Sequence, residues 1–521
     1  MQKTQPAGRR EWTGLVVLIL PLLLVSMDVS VLYFTVPFIS RDLAPSSTQQ
    51  LWIFDIYGFV LAGFLITMGA LGDRVGRRRL LMIGAVGFSA ASALAAYSGS
   101  AETLIAARAI LGVAGATLMP STLALVRNMF HDEKQRGTAI AVWTAAMTSG
   151  IVLGPIISGL LVEHFWWGSV FLINIPAMIL LLALAPVLLP EHRNPVRARF
   201  DFASAVLSIA AVLPIIWGIK EIAAHGADPV RVAAIVAGLG IVAAFVRRQR
   251  RRADPMLDLT ILRRPAFAGS VVVSLLATFA MAGFAVFTTQ YLQLVLGMSP
   301  LKGALWSLVP SLAVGAAAPL ASVLARRGVD RAKIIAAGFV VAVAGFVLLG
   351  TVPAESGLWV LLVGAGIYAA GLVVVMSTAT ELVIGTVPPE RAGASSALME
   401  TASEFGGALG IAILGSIGTA VYRARLDNHL PVTARETLSG AVTTAAHLPQ
   451  PAAGQVLEAA REAFVGGLHT TAWATAAIML VAAVVALTSL RGLAGGAQET
   501  GSPRPADKRP HTSHLVGERP L

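Results

Sequence analysis

The sequence predicts an all-α membrane protein of fourteen transmembrane helices, two six-helix bundles with two helices inserted between them. Three observations lead there. Only 13% of the 521 residues are charged and 56% are hydrophobic, whereas a soluble chain is roughly 25% charged. Apolar runs long enough to cross about 30 Å of hydrocarbon as a helix recur along most of the chain. Most of the 39 Lys and Arg residues fall in alternate loops, the asymmetry expected of a multi-pass protein with basic loops on the cytoplasmic side.

The spans, in order, are 15–39, 51–72, 79–98, 103–127, 138–161, 168–189, 202–221, 230–246, 266–291, 303–325, 332–351, 357–386, 392–420 and 466–490. The first is not read as a cleaved signal. Its apolar stretch is too long for an h-region, contains Asp28 and lacks a small-residue cleavage site. The basic loops carry Arg74, Arg77, Arg78 and Arg79, then Arg127, Lys134 and Arg136, then Arg193, Arg197 and Arg199. Arg247 to Arg252 and Arg326 to Lys333 continue the series. An even number of spans keeps both termini on the basic side. The run at 247–252 would read alone as a nucleic-acid patch, but a cytoplasmic loop is required at that place anyway. No nucleic-acid partner is expected.

The halves read as distant repeats, because Ala325-Arg326-Arg327-Gly328 echoes Asp73-Arg74-Val75-Gly76. The expected organisation is a cytoplasmic N-terminus at 1–11, a first bundle at 12–190 and the inserted pair with its basic loops at 191–265. A second bundle follows at 266–491, with an outward loop at 421–465, and then a polar tail at 492–521 expected to be disordered. Within the outward loop, 451–464 could form an amphipathic helix.

Absences narrow the chemistry. With no Cys, disulfides, thiol catalysis and Cys-based metal sites are excluded. There is no phosphate-binding glycine loop of the nucleotide-hydrolysing type, and no grouping of His at ligand spacing. No enzyme activity, cofactor or metal is expected.

Three glycine-rich stretches carry more specific information. The first is Gly69-Ala-Leu-Gly72-Asp73-Arg74-Val-Gly76-Arg77-Arg78-Arg79. Its glycines permit close helix approach, and Asp73 with the arginines can form an ion-pair clasp at a cytoplasmic gate. The second is Gly150-Ile-Val-Leu-Gly154-Pro155-Ile-Ile-Ser158-Gly159, in which Pro155 removes a helix hydrogen bond and the glycines admit a neighbouring helix. The third surrounds Arg108, an arginine inside a span, followed by Leu111-Gly112 and Gly115. A charge there costs roughly 2.5–3.5 kcal/mol on insertion scales, so it marks function by default. A structural alternative is an Arg108 that only snorkels to the interface.

Acids within spans are the most informative residues. Asp28 sits mid-way along the first span and Asp55 near the outer end of the second. Glu400 and Glu404 lie four apart on the thirteenth and so share a face. Carboxyls that can be either protonated or charged are what an exchange of protons for cations requires. Trp52, Tyr57, Trp143, Phe284, Tyr291 and Phe405 are candidate aromatic contacts for a flat cation. Glu163 and Glu381 fall near span ends and read as interfacial.

These stretches resemble, in order, motifs A, C and B of the major facilitator superfamily. Ser158 replaces the first Gly of the usual pair in motif C, and Leu111 stands where motif B often has Gln. Gln49 to Gly63, Leu118-Met-Pro120 and Phe171-Leu-Ile-Asn174-Ile-Pro176 are similar to the fourteen-spanner drug:proton antiporter family, in particular its QacA-type quaternary-ammonium exporters. The resemblance is dense over 12–190 and looser over spans 9 to 14. It implies the major facilitator fold and an exchange of protons for drugs, here lipophilic cations, by a multi-pass protein of the cytoplasmic membrane; a monomer is expected. Asp28, Asp55, Glu400 and Glu404 fall where that family has functional acids. Span 10 departs, since Ser307 to Ala325 contains no acid where some members carry one linked to dicationic substrates. An exporter of a self-made antibiotic on the same scaffold is the alternative the sequence leaves open.

Overall fold

In the computed structural model the described residues are 7–191, 202–252, 263–386, 392–426 and 430–490, and the side chains of some helical residues, Asp73 and Glu400 among them, lie outside the description. Among the described residues the chain is all-helical, with no strand. The helices are α1 (Arg9–Ser30), α2 (Val36–Leu43), α3 (Ser47–Val75), α4 (Arg77–Ala96), α5 (Ala101–Met129), α6 (Glu133–His164), α7 (Ser169–Leu172), α8 (Asn174–Leu188), α9 (Phe202–His225) and α10 (Pro229–Arg251). After these come α11 (Pro265–Gln290), α12 (Pro300–Trp306), α13 (Leu308–Arg326), α14 (Arg331–Leu349), α15 (Leu358–Thr386), α16 (Ala392–Arg425), α17 (Val432–Glu436), α18 (Leu438–Ala445) and α19 (Ala452–Ser489).

Twelve stretches of the described residues are helices long and apolar enough to cross a membrane. The other two expected spans, 51–72 and 202–221, fall on α3 and α9, helices of 29 and 24 residues that include undescribed side chains.

Helix starts follow local chemistry. Ser46 accepts from the Gln49 amide while the Gln49 side chain returns to the Ser46 N–H, a capping box that starts α3. Asp132 starts α6 by accepting from the Gln135 amide at 2.9 Å. Gly76 turns the chain between α3 and α4 at φ 115, and Gly328 does the same between α13 and α14 at φ 80. Both values lie in the left-handed region that glycine adopts without a Cβ penalty. The two echoing sequence stretches thus end on the same backbone device.

Two hydrophobic cores form. One is built almost wholly from α1 to α8, around residues such as Leu18, Phe88, Leu111 and Phe171. The other is built from α11 to α19, around Phe284, Phe339, Phe346 and Leu468. The α9–α10 hairpin packs beside them, with α9 touching both α3 and α16. Gly218 and Gly238 bring the two hairpin helices together: a Cβ at either would lie 2.7–2.8 Å from a backbone oxygen of the other helix. The stretch 451–464 is helical, as one continuous 38-residue helix with the last expected span.

The first span is not one straight helix. The α1 ladder stops at Ser30, a 3-10 turn covers Val31–Phe34, and α2 resumes at Val36. Broken helix leaves carbonyls without intrahelical donors, which inside a membrane must be satisfied by other protein groups. Ser158 Oγ on α6 donates to the Val31 carbonyl at 2.8 Å, and Gln293 Nε2 from the second half donates to that of Phe34 at 3.2 Å.

Candidate functional site

Asp28 lies two residues before the break in the first span, and its carboxylate meets Arg108 of α5 in an ion pair. Both side chains are essentially sealed from solvent, at 0% exposure for Arg108 and 1% for Asp28. The guanidinium is held on three sides. Its Nη1 donates to Asp28 Oδ2, and its Nε donates to the Ile53 carbonyl on α3 at 3.2 Å. Its plane lies 4.7 Å from the centre of the Tyr57 ring, a cation–π contact strengthened by the dry surroundings. The Tyr57 hydroxyl donates to the Val25 carbonyl at 3.1 Å and so ties α3 to α1. Arg108 is therefore not a snorkelling arginine. Among the described residues its Nη2 is buried without a hydrogen-bond partner.

The glycines that follow Arg108 explain how α3 comes so close. A Cβ on Gly112 would lie 2.7 Å from the Tyr57 carbonyl, and one on Gly115 3.1 Å from the Tyr57 hydroxyl. The motif around Arg108 thus places the charge and clears the space for its ring partner.

Asp55 is buried on α3. One turn along, Gly58 faces α16 of the second half, with Ala408 and the Glu404 carboxylate its nearest neighbours there. Glu404 is half-buried at this seam. Phe59 and Phe405 meet across it at 6.1 Å in an edge-to-face pair, with Trp52 packed against the same group. The structure therefore gathers Asp28, Arg108, Asp55, Tyr57, Trp52, Glu404 and Phe405 along α3 and its neighbours. The side chain of Glu400 lies outside the described residues.

Three aromatic candidates lie elsewhere. Trp143 is half-buried and donates to Thr122 at 3.2 Å between α6 and α5. Phe284 is enclosed by Phe287, Phe346 and Tyr368 in the second core, and the Tyr291 hydroxyl donates to the Pro353 carbonyl in the same half. All three are engaged in contacts away from the Asp28–Arg108 pair.

Around the first motif, Arg77 folds back over Gly72, where an added Cβ would meet its Nη1 at 2.9 Å, and Gly69 faces Pro120. Arg78 reaches across to the end of α8. It donates to the Leu189 carbonyl at 3.0 Å and to the Pro186 carbonyl at 3.2 Å, and lies 3.7 Å from Glu191. Arg74 is exposed. The clasp expected of Asp73 falls on a side chain outside the description. Glu191 was not singled out from the sequence, since a lone acid after a span has no distinguishing spacing.

The second motif works through its missing side chains. Gly150 packs on the Leu23 carbonyl and Gly154 on Met27 and Ser30, which seats α6 against α1 just before Pro155. Gly159 faces the other half instead: a Cβ there would lie 2.8 Å from the backbone of Leu301. Beside it Glu163 accepts from the Leu301 amide at 3.2 Å. With the Gln293–Phe34 bond and an Arg423–Ser47 bond of 2.6 Å, these contacts join the halves at the end away from Arg74 to Arg79. A cavity at this end is lined by Leu51 and Phe54 of α3, Phe287 of α11, Gly415 of α16, and Glu436 and Leu438.

Residues 18–411 match the Major Facilitator Superfamily. The multidrug efflux pump LfrA of Mycolicibacterium smegmatis is 43% identical over 488 residues, covering 92% of this chain and 97% of that protein. The methyl viologen resistance protein SmvA of Salmonella typhimurium is 33% identical over 490 residues, covering 92% and 98%. Among solved structures, the peptide transporter POT in complex with sulfate superposes with a TM-score of 0.63 at 16% identity, covering 94% of this chain and 96% of that one, a likeness of fold. The chain belongs to the Major Facilitator Superfamily and is a multi-pass membrane transporter, not an enzyme, whose relatives include a multidrug efflux pump.

Proposed function

We propose that the protein is a proton-coupled antiporter that exports lipophilic cationic drugs by alternating access, with fourteen spans and both termini cytoplasmic. The observation that carries the reading is the sealed Asp28–Arg108 pair beside a seam where Glu404 of the second half reaches α3 at Gly58, one turn from the buried Asp55. Intramembrane charges are costly and mark ion pathways. Acids at a seam between two moving halves change their hydration and neighbours as the halves rock. A site of this kind holds a cation or a proton, and releases one when it takes the other. In this reading the basic loops lie on the cytoplasmic side, and the contacts joining the halves lie at the opposite, outer end. Quaternary ammonium compounds of the kind taken by QacA-type exporters are the expected substrates, with the protein acting as a monomer in the cell membrane.

The test is ethidium transport by the purified protein in liposomes. An imposed pH gradient should drive transport in the absence of ATP, and a protonophore should abolish it. Transport that ignores the gradient would overturn the coupling.

A further inference from the structure

Glu381 reads from the sequence as an interfacial acid, and the structure gives it a different setting. It lies within the apolar stretch Leu358–Val383 of α15, five residues before the helix ends, about 8 Å of helical rise from that end. It is half-buried, and Ser322 Oγ on α13 donates to its Oε1 at 2.7 Å. That hydroxyl is its one interaction among the described residues, so no Lys, Arg or His is paired with it. Asp28 differs on each count: it has Arg108 as its own cation and sits nineteen residues into α1, about 28 Å of rise from the start of that helix.

The end of the molecule also matters. Ser322 lies one turn before Arg326, on the side of the basic loops, and α13 leaves Leu312 at 77% and Leu320 at 55% exposure. A carboxylate inside a span normally pairs with a cation. Among the described residues the contact is a hydroxyl, which orients the carboxyl group without compensating its charge. Exposed aliphatic side chains on the same helix as Ser322, Leu320 among them, suit the apolar body of a lipophilic cation.

We infer that Glu381, positioned by Ser322, is a capture subsite for organic cations at the cytoplasmic mouth, separate in depth from the Asp28 site. The inference rests on the cation-export reading. A cation meets Glu381 first, then moves inward to the seam where it competes with protons. Glu381 therefore sets the concentration at which the transporter half-saturates and takes no part in proton exchange.

The experiment uses the full-length protein in liposomes with ethidium, under an imposed pH gradient. In Glu381→Gln the amide oxygen still accepts from Ser322, so the local packing is kept and only the charge is lost. The half-saturating ethidium concentration should rise about tenfold, with the maximal rate and the protons moved per ethidium unchanged. Glu381→Asp should fall between parent and Glu381→Gln. An unchanged half-saturating concentration in Glu381→Gln overturns the subsite while leaving cation export intact. A collapsed maximal rate with lost proton movement overturns it too, and makes Glu381 a proton carrier. A parent protein that moves no ethidium removes the cation-export reading and the subsite together.

Discussion

At the residue scale, the pairing of Asp28 with Arg108 changes what a neutral substitution does. Read as a lone buried acid, Asp28 should lose a desolvation cost when replaced by Asn, and the protein should insert normally. Paired as it is, Asp28→Asn leaves Arg108 charged, dry and short of its counterion. Removing one partner of a buried pair costs about 3–5 kcal/mol. Asp28→Asn should therefore lower the melting temperature in detergent as well as abolish export, and Asp28→Asn with Arg108→Gln should recover the melting temperature but not export. Equal melting temperatures for Asp28→Asn and the parent would contradict the pair. Asp28 and Arg108 were each legible in the sequence as charges inside spans. Their meeting was not, since 80 residues of chain lie between them and no local spacing encodes that contact.

Elements add a second kind of control, through glycines that let backbones touch. Gly150 and Gly154 seat α6 on α1 within one half, whereas Gly159, one turn further, meets Leu301 of the other half. The same motif thus couples packing inside a bundle to closure between bundles. In Gly159→Val the new side chain overlaps backbone that cannot move aside cheaply, and overpacking of this kind costs about 1–3 kcal/mol. Because that cost falls only on the closed arrangement, it should shift the population toward opening at that end by about tenfold for each 1.4 kcal/mol. The chain has no Cys, so Thr419→Cys in the cavity lining reports directly. Its reaction with a membrane-impermeant maleimide should be several-fold faster with Gly159→Val than without. An unaltered rate would show that Gly159 is not part of the closure.

For the whole molecule, the decisive quantity is the number of crossings, which sets the side of each terminus. The proposed fourteen crossings would put both ends in the cytoplasm and leave α9 and α10 as a hairpin beside the two cores. Protease-cleavable tags at the N- and C-termini should both be protected in right-side-out vesicles and both be cut in inside-out vesicles. Tags cut from opposite sides would mean an odd count and would also reverse half of the basic loops. The hairpin should matter less to stability than either bundle. Exposure along α10 is high, with Val230 at 65% and Val236 at 61%, and its main partner is α9.

The sequence by itself determined the all-helical membrane class, most helix positions, the glycine motifs and the identity of the charges inside the spans. Those follow from local rules, since a run of apolar residues, a glycine spacing or an isolated charge is visible in a short window. Tertiary structure alone decided which charges are neutralised, which aromatics reach them and where the halves touch. Asp28 and Glu381 illustrate the division. Both are acids within apolar helices, and a window on the sequence ranks Asp28 as functional and Glu381 as interfacial. Among the described residues, packing gives Asp28 an arginine from a distant helix and gives Glu381 a serine. An intramembrane acid behaves according to its compensating charge, and that charge is supplied by whichever helix lies beside it in space.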